Sequence, residues 1–170
     1  TDPNASSPAS AFSTLLVEAG HEGISVSDVG SRLGRRLMPL AEISFNQVKI
    51  PLDNLIGKEN KGLDQVKTCL SENRILAAAQ AVGIAQGAFD RSLGHVKQRE
   101  QFGRKLADFQ VTRQKLAEMA TRIEASRLLT YQAARQFENS PEDHEKQSAM
   151  AKLHACRTAV EVCDESIQLL

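Results

Sequence analysis

Residues that favour α-helices dominate the chain from Gly62 to its last residue, and this composition limits the fold more than any other feature. Ala, Leu, Gln, Glu and Arg are strong helix formers, and two short breaks, around Gly103 and Pro141, interrupt them. Short connections make consecutive helices antiparallel. The pattern therefore predicts an antiparallel bundle of three long helices, at about 63–99, about 109–137 and about 142–170.

The third predicted helix carries an apolar stripe whose members alternate in steps of four and three residues. This spacing is typical of the seam along which helices pack, so we expect the stripe to be buried in the bundle. Ser140 and Pro141 suit the start of this helix, as its N-cap and its first residue. The stripe consists of Ala149, Leu153, Cys156, Val160, Cys163, Ile167 and Leu170.

The first predicted helix contains Ala79, Gly83 and Gly87 at intervals of four residues. Glycine inside a helix costs about 1 kcal/mol relative to alanine, so two glycines on one face need a reason. The first explanation is that another helix approaches this face closely. The alternative is that the face leaves room for a ligand.

Before the helical region, residues 1–57 show the pattern of short strands and turns. Residues 24–29 alternate in part, and residues 42–50 alternate polar with apolar up to Pro51, as in a half-buried strand. So few strands cannot close a core, and we expect part of a larger β domain. The predicted class is α+β by content but mainly α, with this partial β domain before the bundle of residues 58–170.

Composition excludes several functions. Lys and Arg total 21, as do Asp and Glu, so the net charge is zero and no field attracts nucleic acid or an anionic membrane. No apolar run approaches the roughly 18 residues of a membrane span. His and Cys lack the spacing of a metal site.

The chain starts at Thr1 and stops at Leu170 within an apolar helical pattern, so we expect a truncated piece of a longer protein.

Residues 99–110 lie at the first break and combine groups that could bind a nucleotide. Arg99 offers a planar cation for phosphate oxygens, Gln101 and Gln110 offer amides, and Phe102 can cover an apolar ring. The alternative is a simple corner between two helices, with Gly103 as the C-cap.

The order and spacing of several motifs resemble the acyl-CoA dehydrogenase family of flavoenzymes. The resemblance covers nearly the whole chain and implies the later half of the family's middle β domain and most of its C-terminal helical domain. The motifs lie at residues 43–51, 55–57, 73–74, 80–88, 99–103, 109–110, 116–119, 124–127, 151–152 and 168–170.

This resemblance implies FAD as cofactor and acyl-CoA as substrate. Arg99 matches the arginine that reaches the FAD pyrophosphate of a neighbouring subunit, Gln101 and Phe102 flank the same cofactor, and Gln110 and Gln168 match its other polar contacts. Ser71 and Arg74 match the segment that lines the acyl-CoA site. From the residues alone, Ser71 could instead be solvated, and Arg74 could form an ion pair with Glu72 or another acid.

The implied reaction is dehydrogenation of an acyl-CoA thioester to trans-2-enoyl-CoA, with electrons passed to electron-transfer flavoprotein. The family's usual base would lie beyond Leu170, so we expect no catalytic residue in this chain. Some relatives place the base at the position of Asn73, which cannot accept a proton. Glu72 is one residue away, or about 100° around a helix, and we reject it.

Other interpretations stay open at this point. A homo-oligomer, either dimer or tetramer, is expected from the resemblance. A non-catalytic helical oligomerisation module is the alternative from a different class, and an acyl-CoA oxidase or flavin monooxygenase would keep the fold but change the chemistry. The mitochondrial matrix and the bacterial cytoplasm fit the sequence equally well.

Overall fold

A computed structural model describes residues 10–34, 36–139 and 144–170. The proposed helix start at Ser140 and Pro141 lies outside these residues. The chain divides into two compact units, Thr1–Val66 and Lys67–Leu170. The sequence-based domain boundary after residue 57 stays a prediction.

The first unit contains two small antiparallel sheets, each of two strands. In the larger sheet, Ile24 lies opposite Phe45 and Val26 lies opposite Ile43. A 3₁₀ turn at Leu52–Asn54 precedes the last strand. The strands are β1 (Thr14–Leu15), paired with β4 (Leu55–Ile56), and β2 (Ile24–Asp28), paired with β3 (Ala41–Phe45).

The predicted strand over residues 42–50 is shorter in the structure and ends at Phe45. The Asn46 N–H donates to the Gly23 carbonyl at 2.8 Å, and Gln47 has a φ of 50°. A left-handed residue reverses the local direction of an extended chain. The alternation after Phe45 therefore belongs to a turn.

The three predicted helices are confirmed. Cross-helix contacts descend along one helix as they ascend along the other: Lys115 Nζ lies 2.5 Å from Glu165 Oε2, and the Ser126 hydroxyl lies 2.9 Å from His154 Nδ1. The second and third helices are therefore antiparallel, as expected. The helices are α1 (Gly62–Gln98), α2 (Gln110–Asn139) and α3 (His144–Leu169).

Small side chains fill much of the helical core. Ala78, Ala85, Ala151 and Ala155 have no exposed surface. Buried serines add little bulk, and Ser92 donates to the carbonyl four residues earlier at 3.0 Å, which satisfies its hydroxyl without a partner helix. Between α2 and α3, such small residues allow the two helices to pack closely.

The predicted burial of the α3 apolar stripe is wrong. Leu153 is 55% exposed, Val160 71% and Ile167 70%. The helix carries a second stripe of mostly small residues, and this stripe faces the core because short side chains permit the closer approach to α2. Its members are Ser148, Ala151, Ala155, Thr158, Ala159, Val162, Ser166 and Leu169.

The close helix approach predicted at Gly83 and Gly87 is also wrong. A Cβ atom added to either glycine would meet no atom within 4 Å among the residues that the structure describes. The face instead borders a cavity of about 440 Å³ between α1 and α2. The glycines therefore leave open space beside the helix, which agrees with the alternative explanation.

Candidate functional site

The 99–110 segment contains a β-hairpin and a 3₁₀ turn, Leu106–Asp108, between α1 and α2. Its strands are β5 (Glu100–Gln101) and β6 (Arg104–Lys105), paired antiparallel. Phe102 and Gly103 form the turn, with φ angles of 53° and 75°. Two positive φ angles define a type I′ turn, whose twist matches that of the flanking strands.

The alternative of a helix corner with Gly103 as C-cap is therefore wrong. The Arg99 N–H still donates to the His95 carbonyl at 2.9 Å, so the last helical hydrogen bond is complete before the hairpin begins. The Arg99 carbonyl accepts from the Leu106 N–H, also at 2.9 Å. This bond closes the base of the hairpin and fixes where both strands leave the bundle.

Phe102 occupies an unusual place at the tip of the hairpin. It is 92% exposed and its backbone is left-handed. A bulky residue in this region costs on the order of 1 kcal/mol, and the exposed ring recovers none of this by packing. An aromatic side chain held outward under strain favours a role in contacting another molecule.

Two arginines that the sequence analysis did not single out make contacts at the junction between the hairpin and α2. The Arg104 guanidinium lies 3.9 Å from the centre of the Phe109 ring. Arg113 donates from Nε to the Ala107 carbonyl at 2.7 Å and from Nη2 to Asp108 at 3.2 Å. The clustering of Arg, Asp and Phe around one turn was the available signal. These contacts link the residues that follow the hairpin to the first turn of α2.

The predicted cofactor residues divide between the hairpin and one end of the bundle. Arg99 precedes β5, Gln101 lies in it, and Gln110 is the first residue of α2. Gln168 lies near the end of α3, and the Lys115–Glu165 ion pair shows that this end of α3 adjoins the start of α2.

These four polar side chains are exposed, and none makes a hydrogen bond or ion pair with the described residues. A guanidinium and three amides without internal partners can all be offered to a ligand. This donor set fits a nucleotide diphosphate and its polar neighbours. The residues present therefore fit FAD by their chemistry.

Ser71 and Arg74 form a second pair of candidate residues, one turn apart on α1. Ser71 is 1% exposed, and its hydroxyl has no hydrogen-bond partner. The solvated alternative for Ser71 is therefore wrong. Arg74 is half-buried and makes no ion pair with Glu72 or any other described acid, so the ion-pair alternative is also wrong.

The two sets of candidate residues do not converge within one copy of the chain. Arg74 and Arg99 are 25 residues apart on one axis, which is about 37 Å at the helical rise per residue. The residues that match the acyl-CoA site thus lie in the first half of α1, whereas Arg99 follows its last residue.

The described residues contain no group of three His, Cys, Asp or Glu side chains that could hold a metal ion. Within the same ranges, none of the helices has the length and apolar character to span a membrane.

Comparison with known proteins agrees with the helical bundle. The family model described as acyl-CoA dehydrogenase, C-terminal domain, matches residues 60–170. Butyryl-CoA dehydrogenase from Megasphaera elsdenii has a similar solved structure, with a TM-score of 0.91 and 33% identity over 98% of this chain and 43% of that one.

Two curated relatives match across most of the sequence. Cyclohex-1-ene-1-carbonyl-CoA dehydrogenase of Syntrophus aciditrophicus (strain SB) is 37% identical over 100% of this chain and 41% of that protein. The caffeyl-CoA reductase-Etf complex subunit CarC of Acetobacterium woodii is 34% identical over 93% of this chain and 41% of that protein. The chain thus spans less than half the length of these relatives.

The fold is that of the C-terminal helical domain of a flavoenzyme class. The chain belongs to the acyl-CoA dehydrogenase family. This confirms both the resemblance and the fold class predicted from the sequence.

Proposed function

We propose that this chain is a part of an FAD-dependent acyl-CoA dehydrogenase and that its hairpin holds the diphosphate of the flavin nucleotide. The observation that carries the proposal is the strained hairpin, which presents Phe102 outward beside Arg99 and Gln101. Family membership supplies the class of reaction.

In this proposal Arg99 donates to the phosphate oxygens, because a guanidinium can give two parallel hydrogen bonds to one phosphate. Gln101 and Gln110 donate amide N–H groups beside it, and Gln168 reaches from the end of α3. Phe102 covers an apolar face of the nucleotide. The distance of about 37 Å along α1 favours a flavin whose ring belongs to the substrate site of a neighbouring subunit.

Ser71 and Arg74 are proposed to line the acyl-CoA site. A buried hydroxyl without a partner costs about 1–3 kcal/mol, and the polar arm of a thioester could supply the missing hydrogen bond. The half-buried Arg74 would place its guanidinium near the thioester. The product would be a trans-2-enoyl-CoA.

Bound FAD would supply the hydride acceptor, since no side chain can take a hydride. The proton on the carbon next to the thioester needs a base. Asn73 cannot accept it, and Glu72 is exposed and one residue away. The resemblance to the acyl-CoA dehydrogenase family, rather than this exclusion, leads us to propose a base beyond Leu170.

Electron-transfer flavoprotein is the proposed electron acceptor, and a homo-oligomer is the proposed assembly. The similarity to a subunit named for its complex with Etf supports the first. The separation of about 37 Å between the two candidate sites is consistent with the second, because the family resemblance assigns Arg99 to the FAD of a neighbouring subunit.

The test is an FAD titration of the protein as its gene encodes it. Arg99→Ala should weaken FAD binding by at least about tenfold, the loss expected for one charge-assisted contact. Arg135→Ala is the matched control, since Arg135 is an exposed arginine near the other end of α2. Equal affinities for the two variants would refute the role of Arg99.

Activity distinguishes the remaining alternatives. A dehydrogenase should reduce electron-transfer flavoprotein with an acyl-CoA and consume little oxygen, whereas an oxidase or monooxygenase would consume oxygen. A non-catalytic module would self-associate but bind no FAD at any concentration tested. That last result would overturn the enzyme assignment itself.

A further inference from the structure

The pairing register of the hairpin determines which of its side chains share a face. Gln101 lies opposite Arg104, and Glu100 lies opposite Lys105. Directly opposed residues of a two-stranded sheet project to the same side, and successive residues along a strand project to opposite sides. Gln101 and Arg104 therefore share one face of the hairpin, which we call the Arg104 face. Glu100 and Lys105 share the other face.

Arg99 extends the Arg104 face by one more residue pair. Its carbonyl accepts from the Leu106 N–H at 2.9 Å, which places Arg99 opposite Leu106 at the base of the hairpin. Arg99 is also two residues before Gln101, so both lie on the same face. Diagonal neighbours across such a ladder have Cβ atoms about 7–8 Å apart, within reach of long side chains. The guanidiniums of Arg99 and Arg104 can therefore contact one ligand together.

The two faces of the hairpin differ in charge. The Arg104 face carries the cations of Arg99 and Arg104 and no acid. On the other face Glu100 is directly opposite Lys105, and opposite charges in this relation stabilise a strand pair. Their fields largely cancel. The Arg104 face is thus the one that attracts a group with two negative charges.

An aromatic ring holds the Arg104 side chain in a defined orientation. The guanidinium lies over the Phe109 ring, 3.9 Å from its centre, and Phe109 is half-buried. The electron-rich face of the ring attracts the cation. The N–H groups of a guanidinium lie in its own plane, so stacking leaves them available. The contact therefore orients Arg104 without using its hydrogen-bond donors.

Arg113, beside the same turn, uses its donors differently. Its Nε donates to the Ala107 carbonyl and its Nη2 donates to Asp108. Arg104 makes no hydrogen bond or ion pair with any residue that the structure describes. Arg113 therefore has a structural role at this junction, whereas the guanidinium of Arg104 is oriented and still able to bind.

The Arg104 face also adjoins the start of α2. Leu106, which shares this face with Arg99, is half-buried and packs against the bundle core. Phe109, which contacts Arg104, immediately precedes Gln110, the first residue of α2. The second arginine thus lies among residues already proposed to bind the nucleotide.

We propose that Arg104 is a second cationic contact to the flavin diphosphate: Arg99 donates to one phosphate, Arg104 donates to the other, and Phe109 orients Arg104. The inference rests on the proposed function, because it assumes that the hairpin holds this nucleotide. It also gives the hairpin a ligand preference. Two guanidiniums on one face favour two adjacent phosphates over a single one.

The experiment is isothermal titration of FAD into the flavin-free protein as its gene encodes it. Arg104→Gln should weaken FAD binding by at least about tenfold, the loss expected for a hydrogen bond to a charged group. Lys105→Gln is the matched control, because it removes a neighbouring cation from the other face, and it should stay within about twofold. Arg104→Lys keeps the charge but not the planar fork, so it should recover part of the affinity.

Two further measurements separate a phosphate contact from a general effect on folding. The difference in affinity between the original protein and Arg104→Gln should shrink as salt rises from about 0.05 to 0.5 M, because salt screens charges near the surface. Arg104→Gln should also weaken the binding of ADP, which carries the diphosphate without the flavin. It should leave the binding of adenosine, which carries no phosphate, unchanged.

Phe109→Leu tests the orienting role of the ring. Removing the stack should weaken FAD binding by about threefold in the original protein. The same change should have little effect in Arg104→Gln, because the ring acts through the guanidinium and the two effects are then not additive. Circular dichroism shows whether each variant keeps its helices.

The outcomes for Arg99 and Arg104 are distinguishable. If Arg99→Ala weakens FAD binding and Arg104→Gln does not, the proposed function stands and the second contact is refuted. Equal losses in Arg104→Gln and Lys105→Gln would also refute it, since the two faces would then be equivalent. An Arg104→Gln variant that is less stable but binds FAD normally would assign Arg104 to a contact within the longer protein, against this proposal.

Discussion

The Ser126 hydroxyl lies 2.9 Å from Nδ1 of His154 and joins α2 to α3 inside the bundle. The same hydroxyl donates to the Arg122 carbonyl at 2.8 Å, so it can only accept from the imidazole. His154 must then carry its proton on Nδ1. One small side chain thus fixes both the helix contact and the tautomer of the ring.

Replacing Ser126 by Ala should lower the free energy of unfolding by about 1–2 kcal/mol, because the ring N–H loses its acceptor. The measurement is urea denaturation followed by circular dichroism. Ser92→Ala is the control, since its buried hydroxyl bonds only to the Ala88 carbonyl of its own helix. We expect that change to stay within about 0.5 kcal/mol, and equal losses would contradict the cross-helix role of Ser126.

The strain at Phe102 gives a second prediction. Phe102→Asn creates Asn followed by Gly103, the pair favoured in type I′ turns, and should raise the free energy of unfolding by about 0.5–1 kcal/mol. Thermal and urea unfolding of the chain measure the gain. If the aromatic ring contacts the nucleotide as proposed, the same variant should bind FAD more weakly while being more stable.

Gly103→Ala is the matching variant, and it should lower the free energy of unfolding. Gly103 has a φ of 75°, which alanine adopts at a cost of about 1 kcal/mol. A stabilised Gly103→Ala variant, or a destabilised Phe102→Asn variant, would contradict the type I′ turn.

The open space beside Gly83 gives a third prediction. No described atom lies within 4 Å of a Cβ built at this position, so Gly83→Ala should stabilise the helix by up to about 1 kcal/mol. Gly23→Ala is the contrast, because its Cβ would collide with the Asn46 carbonyl and its φ is +86°. Destabilisation by Gly83→Ala would mean that another helix occupies this face after all.

Local composition was sufficient to predict the helices, because strong helix formers fill them over whole turns. It was harder to predict which face of α3 packs in the core. α3 carries two stripes with the same spacing, one large and one small, and only the packing distance decides which faces α2. Large residues such as Leu153 and Val160 made the wrong stripe the more obvious choice.

The hairpin could not be predicted for a related reason. Type I′ turns usually have Asn or Gly at both central positions. Here the first central position is Phe102, so the sequence lacks the usual signal. The family resemblance, rather than the residue pattern, grouped Gln168 with the polar residues of the 99–110 segment. Their separation from Ser71 and Arg74 follows from the length of α1, which the sequence predicted as one helix over about 63–99.

The unpartnered hydroxyl of Ser71 gives the last prediction. Ser71→Ala removes a buried polar group that has no hydrogen bond, so it should raise the free energy of unfolding by about 1 kcal/mol. Ser126→Ala should lower it, although both changes remove one buried hydroxyl. The opposite signs arise because only Ser126 has a partner that would be left unsatisfied.

If Ser71 lines the acyl-CoA site, the stabilised variant should also bind acyl-CoA more weakly, by about fivefold to tenfold for one lost hydrogen bond. Ser71→Thr keeps a hydroxyl and should recover part of that affinity. Isothermal titration of the whole protein measures both variants. A gain in stability with unchanged acyl-CoA affinity would contradict the proposed role of Ser71. Its hydroxyl would then be a buried polar group with no part in the acyl-CoA site.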